Sequence, residues 1–432
     1  MSSRPSGLTR RRFLVASGVT GGAALAAGGA TLTLGQRDRL LGAAATRRPL
    51  APGSGVLVLL TLYGGNDGLS MVAPAGDPAY QAARTGLALA EHEVLGIGAG
   101  LGLHPALVQL KKRWDAGQLA VVRGVGYPAP DHSHFRSMAI WQTASPDTSV
   151  STGWLGRWLD ATGTDPLRAL AVGPTPPPLL VGGTSTGACV PTGPFRLPDG
   201  PLAAPFRALE SASQAGEPAL LQAVARSGAD LLTVAGRLTP ALGSAAPAAP
   251  SAPTPSAPAP SAPTPSRRPA HPLGGELADQ LDVVARCILA GVPTRVYAVS
   301  LNGFDTHADE KADQATLLAE LDGAVGAFLA RVSGSQHGAG VVLAAYSEFG
   351  RRVAANASGG TDHGTAAPVL VVGPGVRGGL YGEQPSLTDL VDGDLKVTTD
   401  FRDVYATLLE RVLGADPGAV FPGQRRTALG FV

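Results

Sequence analysis

From Val56 to Tyr63 the chain reads VLVLLTLY, broken only by Thr61, and then turns polar in Gly64-Gly65-Asn66-Asp67-Gly68. A strand with one wet face alternates apolar and polar residues, whereas a strand covered on both faces does not. This run therefore predicts a central strand with helices on both sides of its sheet, ending in a tight glycine turn. The rest of the sequence alternates in the same sense. Helical spacing covers 104–117, 133–144, 276–291, 315–332 and 400–414, with Ser133 and Asp400 as N-caps. Apolar, strand-like runs cover 118–127, 294–307, 338–350 and 367–375. Strands alternating with helices predict an α/β fold with a doubly wound, mostly parallel sheet. The strand, helix and strand from 55 to 127 predict a right-handed βαβ unit. Aromatic residues make up 5% of the chain, so aliphatic and alanine packing is expected to supply the core.

Two segments stand apart. Thr9 to Leu14 reads TRRRFL, and an apolar, glycine-rich stretch follows to about Leu34. This resembles a twin-arginine signal, so residues 1–45 are expected to be an export address read by the twin-arginine translocation machinery, with Ala43 to Ala45 suited to cleavage. The expected destination is periplasm, cell wall or exterior. Between about 243 and 272 the chain repeats Pro with Ala, Ser and Thr, a composition that cannot bury a core and predicts a disordered, polyproline-like insertion. The α/β pattern resumes after it, so 46–432 is read as a single domain; a linker between two domains is the alternative. No later stretch is apolar enough to predict an internal membrane span. A net charge of +1 gives no basis for a nucleic-acid surface. Cys189 and Cys287 could pair outside the cytoplasm or remain free buried thiols.

In open α/β sheets functional groups gather beyond the carboxyl ends of the strands. The runs end in Asn66-Asp67, in Asp305-Thr306-His307 and in Ser347-Glu348, while Asp131-His132-Ser133-His134 opens a helix. His363 precedes a strand instead, so its loop is expected to fold back over the same rim. Each motif alone also fits a turn or a cap. Together they place carboxylates and neutral imidazoles at one edge, where a divalent cation would relieve their repulsion.

The ordered motifs YGGNDGLSMVAP, HPAL, SHF, TGWLGRWLD, FDTH, SEFGRR, TDHGTAAPVLVVGPGVRGGLYG and TDFRDVYATLLE resemble the secreted bacterial proteins grouped as domain of unknown function 1501. That family is similar to the alkaline phosphatase and sulfatase superfamily, which implies an alkaline-phosphatase-like core, two metal ions and action on phosphate or sulfate esters. By that resemblance Ser133 is the nucleophile. Asp305, His307 and His363 bind one metal, and Asp67 and Glu348 belong to the metal pair. Asn66, Arg351 and Arg352 face an anionic ester, the implied substrate. The metal is one of Zn, Mn, Ca or Mg. The chain has Glu348-Phe349 where the superfamily often has Asp-His, so one imidazole ligand is missing. His132 and His134 flank Ser133, and either could act as general acid or replace that ligand. The lack of a Cys-x-Pro-x-Arg setting argues against a formylglycine sulfatase. A non-catalytic exported protein binding metal or anion with the same fold is the alternative.

Overall fold

The structure is a computed structural model that describes residues 49–163, 165–192, 203, 206, 219–242, 277–421, 423, 424 and 426–432. The export signal expected at 1–45 and the insertion expected at about 243–272 lie outside the described residues. The chain divides into two units, Pro49–Gly193 with Ser244–Val432 and Met1–Arg48 with Pro194–Gly243. Of the second unit, a long helix, Ala219–Leu242, is described. Among the described residues no helix is long and apolar enough to cross a membrane.

The first unit is built on one sheet. Its strands are β1 (Val56–Tyr63), β5 (Leu119–Gly126), β6 (Ala169–Val172), β7 (Ala188–Val190), β8 (Val296–Asn302), β9 (Val341–Tyr346), β10 (Ala367–Val372), β11 (Gly379–Tyr381) and β14 (Thr399–Asp400). Small side sheets hold β2 (Val72–Ala73), β3 (Leu95–Gly98) and β4 (Leu101–Leu103), and β12 (Leu390–Val391) with β13 (Asp394–Leu395). The main order is β11-β5-β10-β9-β1-β8-β6-β7, with β14 also on β5. Every pairing is parallel except those of β10, which runs antiparallel to both β5 and β9. The sheet is thus mostly parallel, as the apolar runs predict. The expected βαβ unit differs in detail: β1 and β5 share the sheet, but β9 and β10 lie between them.

The helices of this unit are α1 (Gly68–Met71), α2 (Pro78–Ala83), α3 (Val108–Asp115), α4 (His134–Thr143), α5 (Trp154–Thr162), α6 (Leu277–Leu289), α7 (Glu310–Val332), α8 (Phe401–Thr407), which continues as a π-helical turn over Leu408–Leu413, and α9 (Pro417–Val420). Helix α7 packs against both α6 and α3, α6 lies on β8 and α3 on β5. Leu57, Leu59, Val122, Ala298 and Val371 share a core with residues of α4, α5 and α8. That core adds an aromatic cluster to the expected aliphatic and alanine packing. Trp141 stacks on Tyr346 with ring centroids 5.0 Å apart, Trp154 stacks on Tyr405 at 4.2 Å, and Phe401 closes the cluster. The scarce aromatics are concentrated here, where each large ring replaces several aliphatic side chains. Cys189 and Cys287 are both free.

The direction of β10 decides where the rim loops meet. Its amino end lies at the same edge of the sheet as the carboxyl ends of β1, β8 and β9. The loop carrying His363 therefore reaches that edge directly and need not fold back. At the same edge the β1 turn closes onto the β8 turn. Gly64 has φ +115°, and a Cβ there would come within 2.5 Å of the Asp305 amide nitrogen. A side chain would be strained and would also push the two loops apart. Gly64→Ala is therefore expected to cost roughly 1–3 kcal/mol of stability, measured by denaturant unfolding; an unchanged midpoint would show that the loops have room to part.

Candidate metal and catalytic site

Five segments supply the rim: the β1 turn, the Asp131–His134 segment before α4, the β8 turn, Ser347–Arg351 after β9 and Thr361–Gly364 before β10. Local sequence explains the second. Ser133 is the N-cap of α4, its Oγ accepting weakly from the Arg136 amide at 3.5 Å, and its own N–H donates to Asp131 Oδ1 at 2.7 Å. The Ser133 side chain is exposed at the helix start, and His134 enters the site from the first helical position.

Asp305 is the centre of the cluster. Its Oδ1 lies 3.0 Å from His307 Nε2, 3.2 Å from His363 Nε2 and 3.4 Å from His134 Nε2. Arg351 Nη2 donates to the same oxygen at 2.8 Å. His307 Nε2 and His363 Nε2 are 3.0 Å apart. The other nitrogen of each ring faces an acceptor. His134 Nδ1 is 2.8 Å from Glu348 Oε1, His363 Nδ1 is 2.8 Å from the His132 carbonyl, and His307 Nδ1 is 3.4 Å from Asp362 Oδ1. A carboxylate and a carbonyl oxygen only accept, so a neutral ring that keeps its hydrogen on Nδ1 turns the Nε2 lone pair toward Asp305. In that arrangement the lone pairs and the carboxylate oxygen facing one another favour a positive charge among them. The site fits a cation on a further count: His134 Nε2 is buried without a hydrogen-bond partner. His134, Asp305 and His363 bring their donor atoms within 4.8 Å of one another.

The electrostatics follow from these neighbours. Burial works to raise the Asp305 carboxyl, but Arg351, His363 and His134 outweigh it and hold the group down to about 2. The hydrogen bond to Glu348 raises His134, while burial lowers His363. Phe349 forms an apolar wall, its ring 4.9 Å from that of His134 and 4.8 Å from that of His363.

Several residues that sequence reasoning assigned to the site have other partners. Glu348 is 2% exposed, and its Oε1 accepts from the Gly64 amide at 2.9 Å as well as from His134. It faces the back of an imidazole and touches none of the converging Nε2 atoms. Asn66 is buried, its amide accepting from Gln314 at 2.8 Å and its N–H donating to Ser347 Oγ at 2.9 Å. Arg351 is buried with its guanidinium spent on carbonyls and Asp305. Only Arg352, 41% exposed and 3.6 Å from Asp394, keeps a side chain open to an anion. His132 turns away from the cluster toward Asp394 Oδ2 at 2.8 Å. Asp394 was missed because the hairpin VDGD gives no signal of a partner so far back in the chain. Asp362 stands beside His363 in TDHG, where its proximity alone could have flagged it.

Asp67 lies in a separate buried group. Its carboxylate caps α1 through the Leu69 amide and pairs with the fully buried Arg84. Glu310, also buried, is beside it and accepts from Thr361 Oγ1 at 2.5 Å. Burial, reinforced by the Asp67 charge, drives Glu310 up to about 9, while Arg84 keeps Asp67 ionised against its own burial. At neutral pH the group is therefore one ion pair plus one neutral carboxyl. Glu310 binds its proton more tightly folded than unfolded, so stability falls as pH rises from its ordinary value of 4.5 to about 9 and then levels. Glu310→Gln keeps an uncharged group of the same shape and is expected to remove that alkaline loss. Asp67→Asn leaves Arg84 unpaired and is expected to cost about 3–5 kcal/mol. Unfolding curves across pH 5 to 9 check both; a wild-type slope identical to that of Glu310→Gln would mean the carboxyl is ionised.

The fold and the cluster define a class: an α/β protein with a mostly parallel sheet whose rim gathers three imidazoles around one carboxylate. Residues 126–429 match the family described as Protein of unknown function (DUF1501), and the chain belongs to that family. No curated protein matches it. Among solved structures it is similar to a protein in the alkaline phosphatase superfamily from Vibrio parahaemolyticus, with TM-score 0.39 and 11% identity over 90% of this chain and 78% of that one. It is also similar to the lipoteichoic acid synthase LtaP from Listeria monocytogenes, with TM-score 0.37 and 8% identity over 92% and 80%. The phosphonate monoester hydrolase SpPMH from Silicibacter pomeroyi follows with TM-score 0.34 and 11% identity over 86% and 78%.

Proposed function

We propose that this protein is an exported, metal-dependent hydrolase of phosphate or sulfate esters with Ser133 as its nucleophile. The observation that carries the reading is the convergence of Asp305, His307 and His363, each imidazole fixed through Nδ1 and presenting Nε2 to the shared carboxylate. A divalent cation held there would supply Lewis-acid charge for the transferring group and favour an ionised hydroxyl nearby.

The chain's own groups supply the rest. Ser133 is loosely bonded through Oγ, so its hydroxyl is free to turn toward an ester. The N-terminus of α4 favours the negative charge that develops on that oxygen. Oγ attacks phosphorus or sulfur in line with the leaving oxygen, forming one bond to the central atom as the ester bond to the leaving alcohol breaks. His132, next in the chain and half exposed against Asp394, is the candidate carrier of the serine proton to the leaving oxygen. Water then releases the serine. Arg352 is the open cation for a peripheral ester oxygen. The arginine-led segment before residue 45 is the export address in this reading.

The test is a screen of phosphate mono- and diesters and sulfate esters with added divalent ions, run on the purified protein and on two variants. Ser133→Ala is expected to keep its metal and lose at least about a thousandfold in kcat. Asp305→Ala is expected to lose both metal and turnover. Stoichiometric metal with no turnover of any ester would overturn the enzyme and assign a binding protein; turnover undiminished in Ser133→Ala would remove the serine.

A further inference from the structure

The donor atoms also bear on how many ions the rim takes and of what kind, given the reading above that it holds a cation. Two carboxylates that a second ion would need are already committed. Asp67 pairs with Arg84 out of contact with solvent, and Glu348 Oε1 accepts from both Gly64 and His134. Glu348 Oε2 is 3.0 Å from Ser347 Oγ in the same buried layer. Among the described residues, one group of three or more metal-capable side chains brings its donor atoms together. That group is His134, Asp305 and His363, and His307 Nε2 stands beside it, 3.0 Å from Asp305 Oδ1 and from His363 Nε2.

We propose that this is a mononuclear site, in which His134, His363 and Asp305 give two imidazole nitrogens and one carboxylate oxygen to a single transition-metal ion of the zinc class with a fourth position open, and in which Glu348 is a positioning residue for His134. Three observations support it. Ligands about 2.0–2.1 Å from a tetrahedral zinc ion lie about 3.3 Å from one another, and Asp305 Oδ1 lies 3.2 Å from His363 Nε2 and 3.4 Å from His134 Nε2. Imidazole-rich sets suit Zn, Co, Ni or Cu, whereas Mg and Ca favour sets built of oxygen. Finally, the Glu348–His134 hydrogen bond is the carboxylate–histidine contact that fixes a ligand's tautomer and aims its other nitrogen. His134 thereby occupies the coordination place that Phe349 cannot fill.

The test counts ions on the intact protein. Chelated and reloaded protein is expected to bind one Zn²⁺ or Co²⁺ per chain, by elemental analysis and calorimetry, about 100-fold or more tighter than Mg²⁺ or Ca²⁺. Its Co²⁺ form is expected to show the strong visible bands of a four-coordinate ion. His134→Ala should change that spectrum, and Glu348→Gln should keep one ion but weaken it roughly 10–100-fold. Two ions per chain, a preference for Mg²⁺ or Ca²⁺, or a His134→Ala spectrum identical to wild type would overturn the proposal. The Glu348→Gln arm and the wild-type count stand if His134→Ala does not fold. One tightly held ion without ester turnover would remove the hydrolase and leave this site standing, whereas turnover that needs two ions would do the reverse.

Discussion

The buried guanidinium of Arg351 holds the rim together. Its Nε donates to the Gly65 carbonyl at 2.6 Å and its Nη1 to the Thr361 carbonyl at 2.9 Å, while Nη2 reaches the Gly64 and Phe304 carbonyls at 2.5 and 2.9 Å and Asp305 Oδ1 at 2.8 Å. One side chain from the β9 turn thus satisfies carbonyls from the β1 turn, the β8 turn and the lead into β10. Buried carbonyls without partners are costly, and a charge without a counter-ion more so. Asp305 answers the second need. A lysine could not span these acceptors, because its ammonium is a compact point and not a planar fork. The carboxylate at the centre of the candidate site is therefore also the counter-ion of the group that fixes the surrounding backbone.

That dual role explains local features that look unrelated. Gly64 and Gly65 adopt positive φ and let their carbonyls turn in toward Arg351. A Cβ on Gly65 would lie 2.3 Å from the Phe349 ring, the same ring that lines His134 and His363. The isolated bridge between Arg351 and His363 ties the arginine's own backbone to the loop of the third imidazole. Beneath this layer, Asp67, Arg84 and Glu310 hold the β1 turn against the start of α7, with Arg84 also donating to the Val353 and Arg352 carbonyls. A charged inner layer supports the imidazole cluster above it.

How far the sequence discloses this depends on the range of the interaction. The runs at 56–63 and 341–346, the Ser133 and Asp400 caps and the amphipathic α6 are legible because neighbouring residues determine them. The short strands ALAV and ACV of β6 and β7 are not, since so few residues carry no period. Helix α7 starts at Glu310, five residues before the apolar spacing suggests, because its first turn is fixed by burial of Glu310 and Gln314 against the β1 turn. Asp305, His307 and His363 were legible as a set from the family motifs. The inward face of Arg351, the diversion of Asp67 to Arg84 and the antiparallel course of β10 were not, since each depends on a partner chosen by topology. An exposed anion-binding arginine and a buried structural one have the same sequence signature.

The pair Glu348-Phe349 shows how a substitution read as a loss can be a change of role. In sequence it looks like a ligand pair with its imidazole gone. In the structure Glu348 grips the back of His134 and Phe349 packs along the flank of the same ring. The carboxylate sets which nitrogen of His134 faces inward, and the aromatic face limits how far the ring can swing. Both constraints act on an imidazole that comes from a helix on the other side of the rim, more than 200 residues earlier in the chain. The imidazole beside Asp305 is delivered from α4 and locked by its neighbours, with the β9 turn contributing a carboxylate behind the ring and a hydrocarbon ring along its flank.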